Sequence, residues 1–339
     1  MNKVYGRILG LFLLVLVISS AVIYFTVDIN TITNLYMFQP WSVGLAILAM
    51  AIGLVLDGTR LMHMVKISGE NITLKQAVQV VFGNYFLAML GPGAAAGAIA
   101  QVMFLRRAGV PGGKAAVLAL VRTVVSIFFL ACCLPFIFLN DEGILPGVSN
   151  AVMVYVAGTA TVLMLVAAYG IRRNAFDYFA VKIARKLSKK WSKKFVDMYR
   201  DSKSAIILLA SSPKSMIRVF FESGLSLIFI YMVVPFLMLG LGATVDWLTV
   251  MGRMMFLNIL LYFSPTPGGS GIAEGGFVYL FSESVPSGTV GILAVSWRFI
   301  AEYLPFFVGL YYTITVFGKH VLDKDLDEDD PNSIKVMDK

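Results

Sequence analysis

The chain has 339 residues, of which 58% are hydrophobic and only 14% charged, with a mean hydropathy of +0.80 and a formal net charge of +8. Soluble domains carry about 25% charged residues. A soluble fold of this length has nowhere to hide so much apolar surface, whereas lipid solvates it directly, so the composition excludes the soluble classes and points to a membrane protein.

The rare reactive residues narrow the chemistry. Cys132 and Cys133 are adjacent in an apolar run, cannot staple distant segments and have no metal-ligand spacing. His63 and His320 lie near helix ends beside basic residues, which argues against a histidine-based metal or triad site. Neither a paired-carboxylate site nor a nucleotide fold is visible. Gly268-Gly269-Ser270-Gly271 is not followed by the Lys-Ser/Thr of a phosphate loop. No cofactor is implied, and the chain reads as a non-enzyme.

A membrane-crossing helix needs about 20 apolar residues. In chain order the first candidate is 7–27, which lacks a small-residue cleavage pattern and reads as an uncleaved span. The next is 41–62. Residues 75–107 then form an apolar stretch too long for one span, cut near its middle by Gly91, Pro92 and Gly93. Proline removes a backbone donor and clashes with the preceding turn, and glycine weakens the helix further. The prediction is two short helices meeting at a broken tip. Spans at 114–139 and 149–171 follow.

The stretch 172–203 carries eleven Lys/Arg interleaved with Phe176, Phe179, Val181, Ile183, Leu187, Trp191 and Phe195. It reads either as a solvated linker or as an amphipathic helix lying on anionic headgroups. No nucleic-acid recognition fold accompanies it. A span at 215–242 comes next. A second broken hairpin, 246–283, is interrupted at Pro265, Thr266, Pro267, Gly268, Gly269 and Gly271. The last span is 287–318, and the mixed-charge tail 321–339, containing Pro331, reads as disordered.

Basic residues sit on one set of connections (Lys3, Arg7, Arg60, Lys66, Lys75, Arg106, Arg107, Lys114, Lys214, Arg218, Lys319), and the opposite set holds Asp28, Asp141, Glu142, Asp246 and Glu283, with Arg253 the exception. The positive-inside rule places both termini in the cytoplasm of a bacterial inner-membrane protein. The first hairpin then enters from the cytoplasm and the second from outside. The fold expected is an all-α polytopic membrane protein of about six spanning helices plus two re-entrant broken-helix hairpins. Residues 1–320 form one such domain.

The second half repeats the first. Units 41–139 and 215–318 each read as span, broken hairpin, span, and three spans separate their starts, so the units are inverted. Inverted repeats with discontinuous helices place transporter substrates near the midplane, at the repeat interface. Arg122 lies thirty residues after Pro92, and Arg298 thirty-one after Pro267. Rise along the helix puts Arg122 roughly 12 Å beyond Lys114 and Arg298 roughly 16 Å beyond Ser287. A charge at that depth costs at least about 2.5–3.5 kcal/mol. Two readings follow: the arginines fork onto an anionic headgroup, or each pairs with a carboxylate or broken-helix carbonyls. Glu302, one turn after Arg298, is the obvious local partner. Glu274 either caps the returning helix or is a proton or cation coupling site or a partner to Arg122 or Arg298. Glu222 is expected to pair with Arg218, and Asp57 with Arg60. The tip glycines Gly91, Gly93, Gly97, Gly268, Gly269 and Gly271 either present amides to an anion or pack helices closely. The candidate substrate-binding set is therefore Arg122, Arg298, Glu302, Glu274, Gly91, Pro92, Gly93, Pro265, Thr266, Pro267, Gly268, Gly269 and Gly271.

The run Pro265-Thr266-Pro267-Gly268-Gly269-Ser270-Gly271-Ile272-Ala273-Glu274 resembles the Pro-Thr-Pro-Gly-Gly-x-Gly-x-x-Glu signature of the lysylphosphatidylglycerol synthase transmembrane, or flippase-like, family. Leu105-Arg106-Arg107-Ala108-Gly109-Val110-Pro111 looks like that family's first-hairpin exit, and Arg122 and Arg298 fit its pattern. The resemblance covers about 7–318. It implies movement of anionic or aminoacylated phospholipids, lysylphosphatidylglycerol among them, between leaflets. The family's aminoacyl-transferase part is not expected in this chain. Family members often carry acids beside the first arginine and charges in the first hairpin. This chain has Val121, Val125, Ala98 and Gln101 there, so its first half is expected to be less polar. The partners expected are phospholipid and membrane, with a homo-oligomer or a lipid-modifying enzyme also open. The competing functions are a small-solute or ion-coupled transporter and a non-transporting scaffold for such an enzyme.

Overall fold

A computed structural model describes residues 37–328, apart from Pro92, 142–143, 145–146, 173–176, 189–190, Lys194, Met198, 201–202, 205–206 and 208–211. The expected span 7–27 and the end of the tail lie outside the described residues. Among the described residues the regular structure is helical. The helices are α1 (Pro40–Ile67), α2 (Leu74–Leu90), α3 (Gly93–Arg107), α4 (Gly112–Asn140), α5 (Asn150–Arg172), α6 (Asp177–Lys186), α7 (Pro213–Tyr231), α8 (Val233–Gly240), α9 (Trp247–Tyr262), α10 (Ile272–Phe281), α11 (Val290–Arg298) and α12 (Leu304–Glu328). A π-turn, Phe299–Tyr303, joins the last two.

Four stretches are long and apolar enough to cross a bilayer: α1, α4, the α7–α8 pair as Pro213–Gly240, and Val290–Phe317 through the π-turn. Each coincides with an expected span, and α5 falls on the expected 149–171. Large apolar side chains such as Leu48, Phe136, Tyr155, Val162, Phe221 and Ile314 face outward, as lipid-solvated surface requires. α12 continues to Glu328, so the start of the expected tail prolongs a helix.

Prolines set the irregularities. Pro235 clashes with the carbonyl of Tyr231 four residues back, and the helix breaks between α7 and α8 at Met232. Pro305 follows the π-turn in the same way. Pro135 lies inside α4 and deprives the Ala131 carbonyl of its usual donor. Thr161 of α5 supplies one instead, donating its hydroxyl at 3.0 Å.

The two broken stretches do fold as pairs of short helices. α2 opens on a capping box between Thr73 and Gln76, and α9 on Asp246, whose carboxylate accepts from the Leu248 amide at 3.1 Å. α2 and α3 lie against each other, with Gln101 donating to Asn84 at 2.8 Å and Gly83 making room for the Phe104 ring. This pair packs on α1 and α12, and α9 packs on α4 and α10. Along the chain, long helix, short pair and long helix therefore occur twice: α1, α2/α3, α4 and then α7–α8, α9/α10, α11–α12.

Of the basic stretch 172–203, α6 is a regular helix with Tyr178, Val181 and Ile183 exposed. Asp177 at its start accepts from Tyr199 and Lys203, both at 2.6 Å. The Lys203 and Tyr199 hydrogen bonds hold the Asp177 carboxyl below its ordinary value, while burial and Asp177 push Tyr199 up to about 12.

Candidate functional site

α1 and α4 bring a three-charge cluster together. Asp57 and Arg60, three residues apart on α1, pair at 2.8 Å as their spacing suggests. Both are buried, 6% and 3% exposed, and lie inside α1, which runs on to Ile67, so Arg60 is not part of a connection as the charge pattern suggests. Arg122 of α4 also pairs with Asp57, through Nη2 to Oδ2 and through Nε to Oδ1 at 3.4 Å. Asp57 thus supplies from another helix the carboxylate that Val121 and Val125 do not. The pairing also answers the energetic problem, since an unpaired guanidinium buried here costs several kcal/mol. Arg60 Nη1 donates to Ser126 Oγ at 2.9 Å and to Ser223 Oγ. Its Nε is buried without a partner.

A second cluster forms where α11 meets the second hairpin. Arg298, 2% exposed, donates from Nη1 to Glu302 Oε1 at 2.8 Å and from Nη2 to the Gly268 carbonyl at 2.6 Å, and its Nε lies 3.1 Å from Glu274 Oε1. Glu274 takes both the capping role and the arginine partnership expected as alternatives. It pairs with Arg298, and its Oε2 accepts from the Gly271 amide at 2.6 Å to cap α10. That amide is therefore already satisfied. Thr266 donates to the Ser270 carbonyl at 2.9 Å, and the turn needs the positive φ of Gly268 (57°) and Gly269 (69°), where a side chain is strained.

The hairpin tips touch. The Gly268 amide donates to the Ala88 carbonyl at 3.1 Å, and a Cβ on Gly268 would lie 2.6 Å from Met89 Sδ. Gly91 and Gly97 serve packing, against Ala96 and against Asn84 and Ala88 respectively. Pro92 lies outside the described residues, as do the surroundings of Gly93.

Between the tips and α1, α4 and α7 lies a cavity of about 220 Å³. It is smaller than the roughly 300–1,000 Å³ that encloses a drug-sized ligand, so it suits a headgroup rather than acyl chains. Of the residues singled out in the sequence, Arg122, Glu302, Gly268 and Gly269 line it. Arg298 does not line it; it sits behind Glu302. Gly91, Pro265, Thr266, Pro267, Gly271 and Glu274 are not in its wall. Also in the lining, outside the candidate set, are Asp57 and Arg60, read in the sequence only as a local pair, Gln101, read there only as a departure from the family pattern, and Asn84, Tyr231 and Asn258, which the sequence reading did not single out. Three of these residues carry buried polar atoms without partners: Arg60 Nε, Gln101 Oε1 and Tyr231 Oη. The signal for Asp57 and Arg60 was present, as two charges inside an apolar run.

Comparison with known proteins agrees with this architecture. Residues 12–309 match the family described as "Lysylphosphatidylglycerol synthase TM region". A "UPF0104 membrane protein" of Archaeoglobus fulgidus is 25% identical over 254 residues, covering 71% of this chain and 76% of that protein.

Proposed function

Because the chain belongs to the lysylphosphatidylglycerol synthase transmembrane-region family, we propose that it is a phospholipid flippase, moving anionic or aminoacylated phospholipid between the leaflets of the cytoplasmic membrane. The observation that carries this reading is a headgroup-sized cavity lined by charged residues, inside a helical body whose outer surface is apolar. In this reading the headgroup crosses through the cavity while the acyl chains stay in the bilayer. The α2/α3 and α9/α10 pairs are re-entrant hairpins of an inverted repeat, entered from the cytoplasmic and the outer face respectively. Their touching tips close the cavity and part to give alternating access.

Arg122 contacts the headgroup directly. Arg298 acts through Glu302 and the Gly268 backbone, which it holds in place. No nucleophile or general-base pair is needed for this task, so the chain is read as a transporter and not a synthase. The test is leaflet translocation of phospholipid in proteoliposomes. Protein-dependent movement is expected, and it should drop with Arg122→Ala and with Arg298→Ala. Rates equal to those of protein-free vesicles would reject the function, and unchanged rates in both variants would reject the residue roles.

A further inference from the structure

The cavity has two unlike ends. At one, Arg60 and Arg122 share the single carboxylate of Asp57, leaving an excess of positive charge. At the other, Arg298 is shared by two carboxyls, Glu274 and Glu302, leaving an excess of negative charge. Glu302 is the member of this second cluster that reaches the cavity wall. Tyr85 is also in the wall.

The unpartnered polar atoms of the lining residues suit an occupant of matching polarity. Arg60 Nε and Tyr231 Oη can donate, and Gln101 Oε1 can accept, yet none has a partner although each residue is at least nine-tenths buried. Leaving such atoms unsatisfied costs about 1–3 kcal/mol each, which a polar ligand recovers on binding. They come from α1, α7 and α3, three elements that each contribute a residue to the cavity wall.

We propose that the cavity is built for a zwitterionic headgroup, one phosphate and one ammonium, with no net charge. This rests on the flippase reading above and puts a zwitterionic lipid in place of the anionic or aminoacylated one named there. The phosphate lies at the Arg60–Arg122 end, where Arg60 Nε and the Tyr231 hydroxyl donate to its oxygens. The ammonium lies against Glu302, completing the neutralisation of the two-carboxyl cluster. A purely anionic headgroup leaves the Glu302 end uncompensated. A lysyl headgroup brings a second ammonium for which this end has no further carboxylate.

The test uses the full-length protein in vesicles of mixed composition. The probes are phosphatidylethanolamine, phosphatidylglycerol and lysylphosphatidylglycerol. Outer-leaflet amines are read with trinitrobenzenesulfonate and the phosphatidylglycerol diol with periodate. Phosphatidylethanolamine is expected to cross faster than either other lipid by about tenfold or more, the effect of one matched charge-assisted contact. Native mass spectrometry of wild-type protein incubated with equal amounts of the three lipids should show the same order of retention, independent of any variant. Glu302→Gln should bring the ratio of phosphatidylethanolamine to phosphatidylglycerol movement toward one, and Glu302→Asp should keep it. Arg60→Gln should slow both lipids and leave that ratio in place. Faster movement of phosphatidylglycerol or of lysylphosphatidylglycerol overturns the zwitterion assignment and leaves the flippase reading standing. No movement of any lipid overturns both.

Discussion

Asp57 is the residue on which the first charge cluster depends. It alone offsets Arg60 and Arg122. Replacing it with Asn keeps the shape and strands two buried guanidiniums. Breaking a buried pair in this way is expected to destabilise by about 3–5 kcal/mol. Thermal unfolding in detergent checks this, and Arg122→Ala introduced into the Asp57→Asn background should recover part of the loss. The positions of Arg122 and Arg298 along their helices were legible in the sequence because rise per residue fixes them, and both are buried. The Arg298–Glu302 pair was legible because four residues make one turn. The Asp57–Arg122 pair was not, because it joins residues of different helices and nothing local marks the partner. Asp57 and Arg60 were visible only as a pair, and their burial depends on α7 packing over them through Ser223.

The broken hairpins were the clearest elements in the sequence, since proline and glycine announce where a helix cannot continue. What the pattern does not carry is that the two tips meet, which is a property of four packed elements. Gly268→Ala places a Cβ against Met89 and forces a positive φ on a residue that resists it. The expected cost is about 1–2 kcal/mol from the backbone alone, with loss of lipid movement. Met89→Ala added to it should relieve the steric part and restore some transport, while the backbone part persists. Helix α6 gives a second prediction. Its Asp177 has a depressed value in the folded chain, so the bonds to Tyr199 and Lys203 stabilise fully above the ordinary 3.8 and are lost as pH falls through the lower folded value. Amide exchange across α6, corrected for its intrinsic pH dependence, should rise on that acidification. Asp177→Asn should produce the same rise at neutral pH.

At the scale of the whole molecule, a lipid-solvated exterior encloses an apolar core that holds one charge-lined cavity, and few side chains tie the second hairpin to the first unit. Arg253 is one. It reaches from α9 to Asp141 at the end of α4, at 2.6 Å, and also donates to Ser284 and to the Leu280 carbonyl. The basic residue that broke the charge pattern of the outer connections is thus a paired one. Arg253→Ala should lower stability by about 2 kcal/mol, the value of hydrogen bonds to a charged group, and should show as a lower unfolding temperature in detergent. The tips offer a different kind of tie. Gly268 gives its amide to one half of the molecule, at Ala88, and its carbonyl to the other, at Arg298. A peptide unit is rigid and planar, so the amide of Gly268 and the carbonyl on its far side turn with only two torsions between them. Parting the two tips therefore breaks the Gly268–Ala88 bond, and neither of the two bonds is made by a side chain of Gly268. Evolution can retune the lock only by changing what surrounds this residue.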